Sequence, residues 1–276
     1  MRFDIKLIFY LINRVIRLKN TALITGASSG IGKELAELHA SKGGSLVLVA
    51  RSQDKLLSIQ QELQEKHKVS VEIIISDLSQ DGSAQKVFEA TQAKGIDVDI
   101  LINNAGVGGH GKFHERNLAE EEAMMQLNMR SLTQLTHLYL QPMVARRSGK
   151  ILNVASTAGF LPGPLQAVYF ATKAYVLSFS QALAEEVKDL GISITALCPG
   201  YVETNFAAAG NLEGVNAFQK GATPQSVAKC GYKAMEKGRL VAINEARLSF
   251  LLNWIIPLMP RKLILKFARH AMEKPD

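Results

Sequence analysis

The sequence predicts an α/β fold, in which a single domain is built on a doubly wound parallel sheet with helices on both faces. Six short apolar runs, rich in Val and Ile, alternate along the chain with helical patterns. Such runs are typical of parallel strands buried on both faces, and the alternation is typical of strands joined by crossover helices. No linker or internal repeat interrupts the series, so we interpret the 276 residues as one domain.

The predicted elements follow one another in a regular order. Helical patterns at Lys33–Lys42, Lys55–Lys66 and Ala84–Lys94 each separate two strand-like runs, as a crossover between parallel strands requires. The six predicted strands and a weaker seventh span residues 21–25, 45–50, 70–76, 99–103, 149–156, 192–198 and 240–243.

A long connection, residues 205–223, follows the sixth predicted strand. It is rich in Gly and Ala but also contains Phe206 and Phe218. A connection of this length in a compact domain is often a binding lid, and the two rings give it something to bury. We therefore predict a lid rather than a disordered loop.

The distribution of charge separates the two ends of the chain from its body. The net charge is +7. Residues 1–19 and residues 247–276 each carry a net charge of +4, and the body between them carries −1. A nucleic-acid binder would show basic side chains interleaved with aromatic rings in the body, so no nucleic-acid partner is predicted. We divide the chain into a basic N-terminal extension (1–19), an α/β domain (20–246) and an apolar, basic C-terminal extension (247–276).

Both extensions leave alternatives open. Residues 1–19 form an amphipathic helical pattern without a cleavage site, which fits a helix lying on an anionic membrane or one docked on the body or on a partner subunit. In the C-terminal extension, Pro257 and Pro260 break an apolar run too short to cross a bilayer. That run is predicted to form a subunit contact, a wall of the substrate pocket, or a pair of short helices on a membrane.

The cysteine content indicates a reducing compartment. Cys198 and Cys230 are the two cysteines, and neither they nor the histidines show metal-ligand spacing. No disulfide framework and no metal site are therefore predicted. We expect a cytoplasmic location, with peripheral contact to a membrane through the basic ends.

The stretch "YFATK" places Tyr169 and Lys173 one helical turn apart, on the same face of a predicted helix. A phenol is inert near neutral pH, because its pKa is about 10. A neighbouring cation favours the phenolate and lowers that pKa. The pair is therefore either a tuned proton donor and acceptor or an ordinary surface contact.

The stretch "TGASSGIG" follows the first predicted strand and opens the first predicted helix. Gly26, Gly30 and Gly32 have the spacing G-x-x-x-G-x-G. Glycines in this context allow close backbone approach, and a helix N-terminus offers free N–H groups to a pyrophosphate. A dinucleotide-binding turn is predicted.

The end of the second predicted strand indicates which dinucleotide is preferred. A carboxylate at this place binds the ribose hydroxyls of NAD, but the residues present are Ala50 and Arg51. A guanidinium suits a 2′-phosphate, so NADP(H) is the predicted cofactor.

With these features in order, the chain resembles the short-chain dehydrogenase/reductase family, in the group with a TGxxxGxG turn. The resemblance covers about Asn20 to about Ala242 and implies a Rossmann-type fold. Its motifs, in family order, are the turn at 25–32, "DL" at Asp77–Leu78, "NNAG" at Asn103–Gly106, Asn128, Ser156, Tyr169 with Lys173, "PG" at Pro199–Gly200, and Thr204. Each motif is loosely specific, but their shared order makes the set highly specific.

The resemblance implies a role for each of four catalytic residues. Tyr169 would exchange a proton with the carbonyl oxygen, and Lys173 would lower the pKa of that tyrosine and bind the nicotinamide ribose. Ser156 would polarise and position the carbonyl group. Asn128 would hold a water that links Lys173 to solvent. These roles amount to general acid–base catalysis beside a preorganised hydrogen-bond donor.

The resemblance also implies which residues contact the cofactor. Ser29 occupies a position at which many NADP-preferring relatives carry a basic residue, so Arg51 is expected to provide most of the phosphate recognition. Asn103 is expected to be structural. The implied cofactor contacts are Gly26, Ser28, Ser29, Gly30, Ile31, Gly32, Arg51, Asp77, Asn104, Ala105, Gly106, Tyr169, Lys173, Pro199, Gly200, Val202 and Thr204.

These inferences predict an NADP(H)-dependent oxidoreductase that transfers hydride between the nicotinamide and a carbonyl or secondary alcohol. The apolar ends resemble extensions of relatives that reduce lipophilic ketones, so the predicted substrate is a 3-oxoacyl chain or a steroid-like ketone. Two alternatives remain open: an NADP-dependent secondary-alcohol dehydrogenase, and a catalytically idle regulator that binds NADP(H). The family also implies a homodimer or homotetramer.

Overall fold

The computed structural model describes residues 20–274, so the predicted N-terminal extension lies outside the described residues. Seven parallel strands form one sheet in the order β3-β2-β1-β4-β5-β6-β7. They are β1 (Ala22–Thr25), β2 (Leu46–Ala50), β3 (Val71–Ile75), β4 (Ile100–Asn103), β5 (Gly149–Val154), β6 (Ile192–Leu197) and β7 (Val241–Ala242). The predicted strands are all present, and each boundary lies within about two residues of the prediction, the usual disagreement at element ends.

Ten α-helices lie in the described part of the chain. They are α1 (Gly30–Ser41), α2 (Gln53–His67), α3 (Ser83–Ala93), α4 (Leu118–Met125), α5 (Leu132–Arg146), α6 (Ala167–Val187), α7 (Phe206–Ala209), α8 (Pro224–Glu236), α9 (Ala246–Phe250) and α10 (Arg261–Met272). The first three correspond to the three helical patterns read from the sequence.

Successive residues of each strand face opposite sides of the sheet, and both sides are buried. In β1, Ala22 and Ile24 pack into one apolar cluster with α1, α2 and α8. Leu23, between them, packs into a second cluster with α3, α5 and α6. The helices therefore cover both faces, which confirms the predicted doubly wound architecture.

The chain reverses its direction of winding at β1, which pairs with β2 on one side and with β4 on the other. Ligands of open parallel sheets bind outside the carboxyl ends of the strands at such a switch point. The glycine turn follows β1 and the "NNAG" motif ends β4. The topology therefore brings these two motifs together at one crevice.

Asn103, at the end of β4, lies behind that crevice and is buried. Its Nδ2 donates to Thr136 Oγ1 of α5 at 3.0 Å and to Asn153 Oδ1 of β5 at 2.9 Å. The side chain thus connects two strands and a helix, as expected for a structural residue.

The C-terminal segment, defined here as residues 246–274, contains two short helices separated at a proline. Helix α9 continues into a π-helical turn, Leu251–Ile255, and a 3-10 turn, Ile256–Leu258. Pro260 then caps α10. The break falls where the prolines predict it. Among residues 20–274, no helix combines the length and the apolar character needed to cross a bilayer.

Candidate active site

A cavity of about 620 Å³ extends along the carboxyl edge of the sheet. Its lining residues follow the ends of β1 to β6, and the C-terminal segment closes it. Arg51 and Asp77 lie at one end, beyond β2 and β3. A cavity of this size is typical of small-molecule and cofactor sites.

The glycine turn lines the middle of the cavity with backbone. Gly26 (φ 65°) and Gly30 (φ 54°) are in the left-handed region, which glycine adopts without strain. A Cβ on Gly32 would overlap the carbonyl oxygen of Gly26, and one on Gly30 would lie 3.0 Å from Thr204 Cγ2. Ser29, the N-cap of α1, makes no side-chain capping hydrogen bond. The first N–H groups of α1 are therefore not satisfied by that side chain and can bind an anion.

Thr25 and Asn104 fix the position of this turn. Thr25 Oγ1 accepts hydrogen bonds from the backbone N–H groups of Asn104 and Ala105, each at 3.0 Å. Asn104 Nδ2 donates to the carbonyl oxygens of Thr25 at 2.9 Å and Gly26 at 3.2 Å. Sequence reasoning gave Thr25 no separate role, although a hydroxyl at the end of a switch-point strand was a visible signal.

Arg51 and Asp77 face each other at the end of the cavity predicted to bind adenosine. Arg51 Nη1 lies 4.0 Å from Asp77 Oδ2, and the Arg51 side chain is 70% exposed. Asp77 Oδ1 accepts from the Ser79 N–H at 3.0 Å and from its hydroxyl at 2.7 Å. Burial acts to raise the pKa of Asp77, but the hydrogen bonds from Ser79 and the Arg51 charge hold it below its ordinary value. The carboxylate is thus fixed, while the exposed guanidinium is weakly held and available to an anion.

Ser156, Tyr169 and Lys173 converge on the cavity: the serine caps the 3-10 turn that follows β5, and the other two lie on α6. All three are buried. Ser156 Oγ accepts from the Ala158 N–H at 3.1 Å and donates to the Pro199 carbonyl oxygen at 3.4 Å. Lys173 Nζ lies 5.8 Å from the centre of the Tyr169 ring and donates to the Val154 carbonyl oxygen at 2.8 Å. The three side chains therefore line the same cavity, with the lysine beside the tyrosine ring.

Burial controls the protonation of this group. It raises the pKa of Tyr169 to about 12, and the Ser156 side chain opposes the rise. It lowers the pKa of Lys173 to about 8, against the opposing effect of Cys198. The net shift of the tyrosine pKa is thus opposite to the lowering predicted from Lys173, because desolvation dominates and the lysine ammonium donates to a backbone carbonyl. Near neutral pH the tyrosine is a protonated hydroxyl, able to donate.

Asn128 lies in a π-helical turn, Gln126–Ser131, between α4 and α5. Its Oδ1 accepts from the Val107 N–H at 3.0 Å, and its Nδ2 donates to the Val107 carbonyl oxygen at 2.9 Å and to Thr172 Oγ1 at 3.1 Å. A Cβ on Gly106 would lie 3.2 Å from Asn128 Oδ1 and 3.5 Å from Lys173 Nζ. Gly106 therefore leaves space between the asparagine and the lysine. Such π-turns often occur at functional sites.

The structure brings every predicted catalytic and cofactor-binding residue to this edge of the sheet, but two do not line the cavity. Gly32 is buried beneath the turn against Gly26, and Asn128 lies behind Gly106. The residues that line it are Gly26, Ser28, Ser29, Gly30, Ile31, Arg51, Asp77, Asn104, Ala105, Gly106, Ser156, Tyr169, Lys173, Pro199, Gly200, Val202 and Thr204.

The connection 205–223 packs against Tyr169. It contains α7 and a 3-10 turn, Asn216–Phe218. The Phe206 ring lies 5.5 Å from the Tyr169 ring, and the Phe218 ring lies 4.9 Å from that of Tyr201. All four rings line the cavity. The predicted lid is therefore packed over the site by its two aromatic rings, and it includes a short helix that the sequence did not indicate.

The C-terminal segment forms the wall at the far end of the cavity. Its contributions are Leu248, Leu251, Leu252, Ile256, Phe267, Ala268, Ala271 and Met272, all apolar. Among residues 20–274, the charged side chains that line the cavity are Arg51, Asp77 and Lys173, and none of these belongs to the far wall. The sequence left three roles open for the segment: a subunit contact, a wall of the substrate pocket, or a pair of short helices on a membrane. The structure shows that it forms the wall of a pocket.

Gln166 is a cavity residue that sequence reasoning missed. It precedes α6, is 3% exposed and places its Nε2 3.4 Å from Met272 Sδ. Its Oε1 has no hydrogen-bond partner in the described part of the chain. A buried acceptor of this kind can receive a hydrogen bond from a bound ligand or water. A lone Gln carries no motif, so the sequence offered no signal for it.

Further contacts tie the C-terminal wall to the loop that follows β4. His110 Nε2 lies 2.7 Å from the Met272 carbonyl oxygen. Arg116 forms a partly buried ion pair with Glu121 and donates to the His110 carbonyl oxygen at 3.0 Å. The position of α10 is therefore set by polar contacts as well as by packing.

A doubly wound sheet, a glycine turn at its switch point and a buried Ser–Tyr–Lys group beside it define a dinucleotide-dependent oxidoreductase. A family profile described as "short chain dehydrogenase" matches residues 20–213. The chain belongs to the short-chain dehydrogenase/reductase family, which confirms the resemblance read from its motifs and makes it an enzyme that acts on CH–OH groups or their carbonyl counterparts.

Relatives and solved structures agree with this assignment. The chain is 34% identical over 251 residues to a very-long-chain 3-oxoacyl-CoA reductase of Macaca fascicularis, covering 90% of this chain and 78% of the relative. For other vertebrate reductases of that description, the match spans 60% to 63% of the relative's length.

Two solved structures share the fold. A short-chain dehydrogenase from Sphingobium yanoikuyae in complex with NADPH has a TM-score of 0.78 and 31% identity, covering 84% of this chain and 90% of that one. A 7beta-hydroxysteroid dehydrogenase has a TM-score of 0.81 and 27% identity, covering 91% and 97%. The NADPH held by the first of these relatives is in line with the NADP(H) prediction.

Proposed function

We propose that this chain uses NADPH to reduce lipophilic ketones, such as 3-oxoacyl chains or steroid-like ketones. The observation that carries the proposal is one continuous cavity. Its middle holds the complete Ser156, Tyr169 and Lys173 group, and its far end is walled by the apolar side chains of the C-terminal segment. The proton-donating residues and an uncharged, apolar wall thus line the same cavity.

The residues at the near end of the cavity fit NADP(H). Gly26, Gly30 and Gly32 let the turn pack closely against Asn104, Thr204 and its own backbone, and the N-terminus of α1 suits a pyrophosphate. Arg51 offers a guanidinium to the 2′-phosphate at the place where NAD-binding relatives use a carboxylate. Asp77, beside it, is the candidate contact for the adenine ring.

The chain's own residues would supply the proton and the alignment. NADPH, when bound, supplies the hydride. Tyr169 donates its hydroxyl proton to the carbonyl oxygen, since its raised pKa keeps it protonated. Ser156 donates a hydrogen bond to the same oxygen and stabilises the charge that develops there. Lys173 places a cation beside the tyrosine, and Asn128 borders the path by which that lysine exchanges protons.

The far wall supports a neutral, lipophilic substrate. Burying a charged group against apolar side chains is costly unless it is paired, and this wall offers no ionic partner within the described residues. The 3-oxoacyl-CoA reductase and the hydroxysteroid dehydrogenase among the relatives act, by their names, on an acyl chain and on a polycyclic ring system. Both kinds of substrate suit an apolar wall. A homodimer or homotetramer remains a family expectation.

Two alternatives differ in direction or in activity. A secondary-alcohol dehydrogenase would use the same residues in reverse, with the tyrosine accepting the proton. A regulator that binds NADP(H) without turnover would have no need of an intact catalytic group, and this chain retains all of it. The regulator is therefore disfavoured. The dehydrogenase is distinguished from the reductase by the relative rates of alcohol oxidation and ketone reduction.

The test is NADPH oxidation at 340 nm against a panel of short diketones, long-chain 3-oxoacyl thioesters and steroid ketones. NADH is run in parallel, and NADP⁺ with the matching alcohols. We expect kcat/KM to be highest for long-chain or polycyclic ketones with NADPH. Faster turnover of alcohols would favour the dehydrogenase. If no compound in the panel is turned over but NADPH binds tightly, the regulator would be favoured.

A further inference from the structure

The outer face of the C-terminal segment carries a cluster of exposed apolar side chains. Fourteen large hydrophobic side chains are exposed among residues 20–274, and eight of them lie between residues 250 and 267. We call these eight the apolar patch: Phe250, Leu251, Trp254, Ile255, Leu258, Leu263, Leu265 and Phe267. Single exposed hydrophobics are normal, but eight of them between residues 250 and 267 form the kind of concentration that marks an interaction site.

Basic side chains border the apolar patch on α10. The inner face of this helix is formed by Ile264, Ala268 and Met272, which are buried. On its outer face, Leu263 and Phe267 lie one turn apart, and Lys262 and Lys266 lie one turn apart beside them. The helix therefore presents an apolar strip and a basic strip to its surroundings, the pattern of helices that lie in a membrane interface.

The charge of the C-terminal segment indicates whether the apolar patch contacts a lipid surface or a second copy of this chain. Residues 247–276 carry a net charge of +4, whereas residues 20–246 carry −1. Two copies meeting through this face would bring like charges together, which disfavours association. An anionic bilayer attracts the lysines, whose stems lie along the apolar boundary while their ammonium groups reach the headgroups.

The apolar patch is continuous with the cavity. Leu251 is 40% exposed and Phe267 is 59% exposed, yet both also line the cavity wall. We propose that the apolar patch docks on an anionic lipid surface and thereby places the apolar end of the cavity against the lipid. Docking itself does not depend on the proposed reaction, so the two ideas can fail separately.

The sequence provides a built-in reporter for this proposal. Trp254 is the single tryptophan of the chain, and its side chain in the apolar patch is 67% exposed. Full-length protein is mixed with vesicles of phosphatidylcholine alone, or of phosphatidylcholine with phosphatidylglycerol. We expect the emission of Trp254 to shift to shorter wavelength only with the anionic vesicles, and to be quenched by brominated acyl chains. Added salt should reverse part of the shift.

The apolar contribution is tested with the double variant Phe250→Ser/Leu258→Ser. Neither residue lines the cavity, and both are exposed, so folding and turnover of a soluble ketone should be unchanged. Vesicle affinity should fall by at least about tenfold, because two side chains no longer enter the interface. The matched control is Phe113→Ser/Leu118→Ser, which removes two similarly exposed side chains elsewhere and should leave the affinity unchanged.

The basic contribution is tested with Lys262→Glu/Lys266→Glu. Reversal of these two exposed charges should weaken binding to anionic vesicles by at least about tenfold. The control, Lys86→Glu/Lys229→Glu, changes net charge equally on helices α3 and α8 and should have a much smaller effect.

Two results would overturn the proposal. One is vesicle binding without any change in Trp254 emission, because the protein would then be held by residues 1–19 or another surface. The other is a blue-shifted emission that appears without lipid as protein concentration rises, together with a larger species in sedimentation, because a second copy would then cover the apolar patch.

Discussion

The two ends of the cavity are built by different means. At the cofactor end, backbone carbonyls, backbone N–H groups and short side chains are fixed by direct hydrogen bonds, such as those that join Thr25, Asn104 and Gly26. At the far end, the wall consists of apolar side chains from α9, α10 and the turns between them. Hydrogen bonds tolerate little displacement, whereas apolar packing tolerates changes of shape when volume is kept.

This difference indicates where chemistry and selectivity reside. Under the proposed function, the near end and the middle of the cavity select the cofactor and move the proton, so small changes there should cost orders of magnitude in rate. Under the same proposal the far wall selects the ketone, so changes there should be graded and substrate-dependent. Substitutions at the two ends can test this contrast.

The largest effect is expected from Tyr169→Phe. The variant keeps the ring, which packs against Phe206, but lacks the hydroxyl that holds the proton. We expect kcat to fall by about 10²- to 10⁴-fold while the Kd for NADPH, measured by fluorescence titration, stays within about twofold. Turnover close to that of the wild type would contradict the assignment of Tyr169 as proton donor.

Arg51→Ala should have the next largest effect. Removal of a charge-assisted contact to the 2′-phosphate is expected to raise the Kd for NADPH by about 10- to 100-fold and to leave NADH nearly unchanged. Arg130→Ala serves as the control, since Arg130 is also an exposed arginine but lies outside the cavity lining. An equal loss for both cofactors would remove Arg51 from phosphate recognition.

Sequence reasoning was most successful where chemistry dictates local pattern. Strands buried on both faces must be continuous apolar runs, and the glycine turn must hold glycines at fixed spacing, so the order of residues alone reveals both. The Tyr169 and Lys173 pair is visible for the same reason, because helical spacing alone places both on one face. These features depend on neighbours in the chain.

The features that sequence reasoning missed depend on distant neighbours. Gln166 is notable only because the fold places Met272 against it. The pKa of Tyr169 was predicted to be lowered by Lys173, but the depth of burial reversed that direction. Burial and long-range contacts are properties of the packed chain, and no local spacing encodes them.

A graded effect is expected at the far wall from Ala271→Leu. Ala271 lines the cavity, so the added carbons occupy substrate space. We expect kcat/KM for long-chain or polycyclic ketones to fall by about tenfold, and that for a short diketone to stay within about twofold. His270→Leu places a leucine at the neighbouring exposed position and should change neither value. An equal loss for every ketone would indicate that the wall affects chemistry rather than fit.

The smallest effect concerns stability, and it arises at the buried lysine. The pKa of Lys173 is lowered to about 8 in the folded chain, from an ordinary value of 10.5. Between these values the unfolded chain binds the proton more tightly, so the free energy of unfolding rises with pH in this window. As pH falls through 8, this contribution of Lys173 to stability is lost. Burial also raises the pKa of Cys198 and of Tyr169 to about 12, and it raises the pKa of Cys230. These groups ionise first in the unfolded chain, which opposes the rise, and the two cysteines already do so between pH 8 and pH 9.

Between pH 8 and pH 9 the lysine is therefore isolated by comparing the wild type with Lys173→Met, since both proteins keep the two cysteines. Lys173→Met removes the titrating group. We expect the free energy of urea unfolding to change by about 1 kcal/mol more favourably in the wild type than in the variant across this window, below the limit of about 1.4 kcal/mol for one proton over one pH unit. Parallel curves for the two proteins would mean that Lys173 keeps its ordinary pKa, and that the middle of the cavity is wetter than its burial indicates.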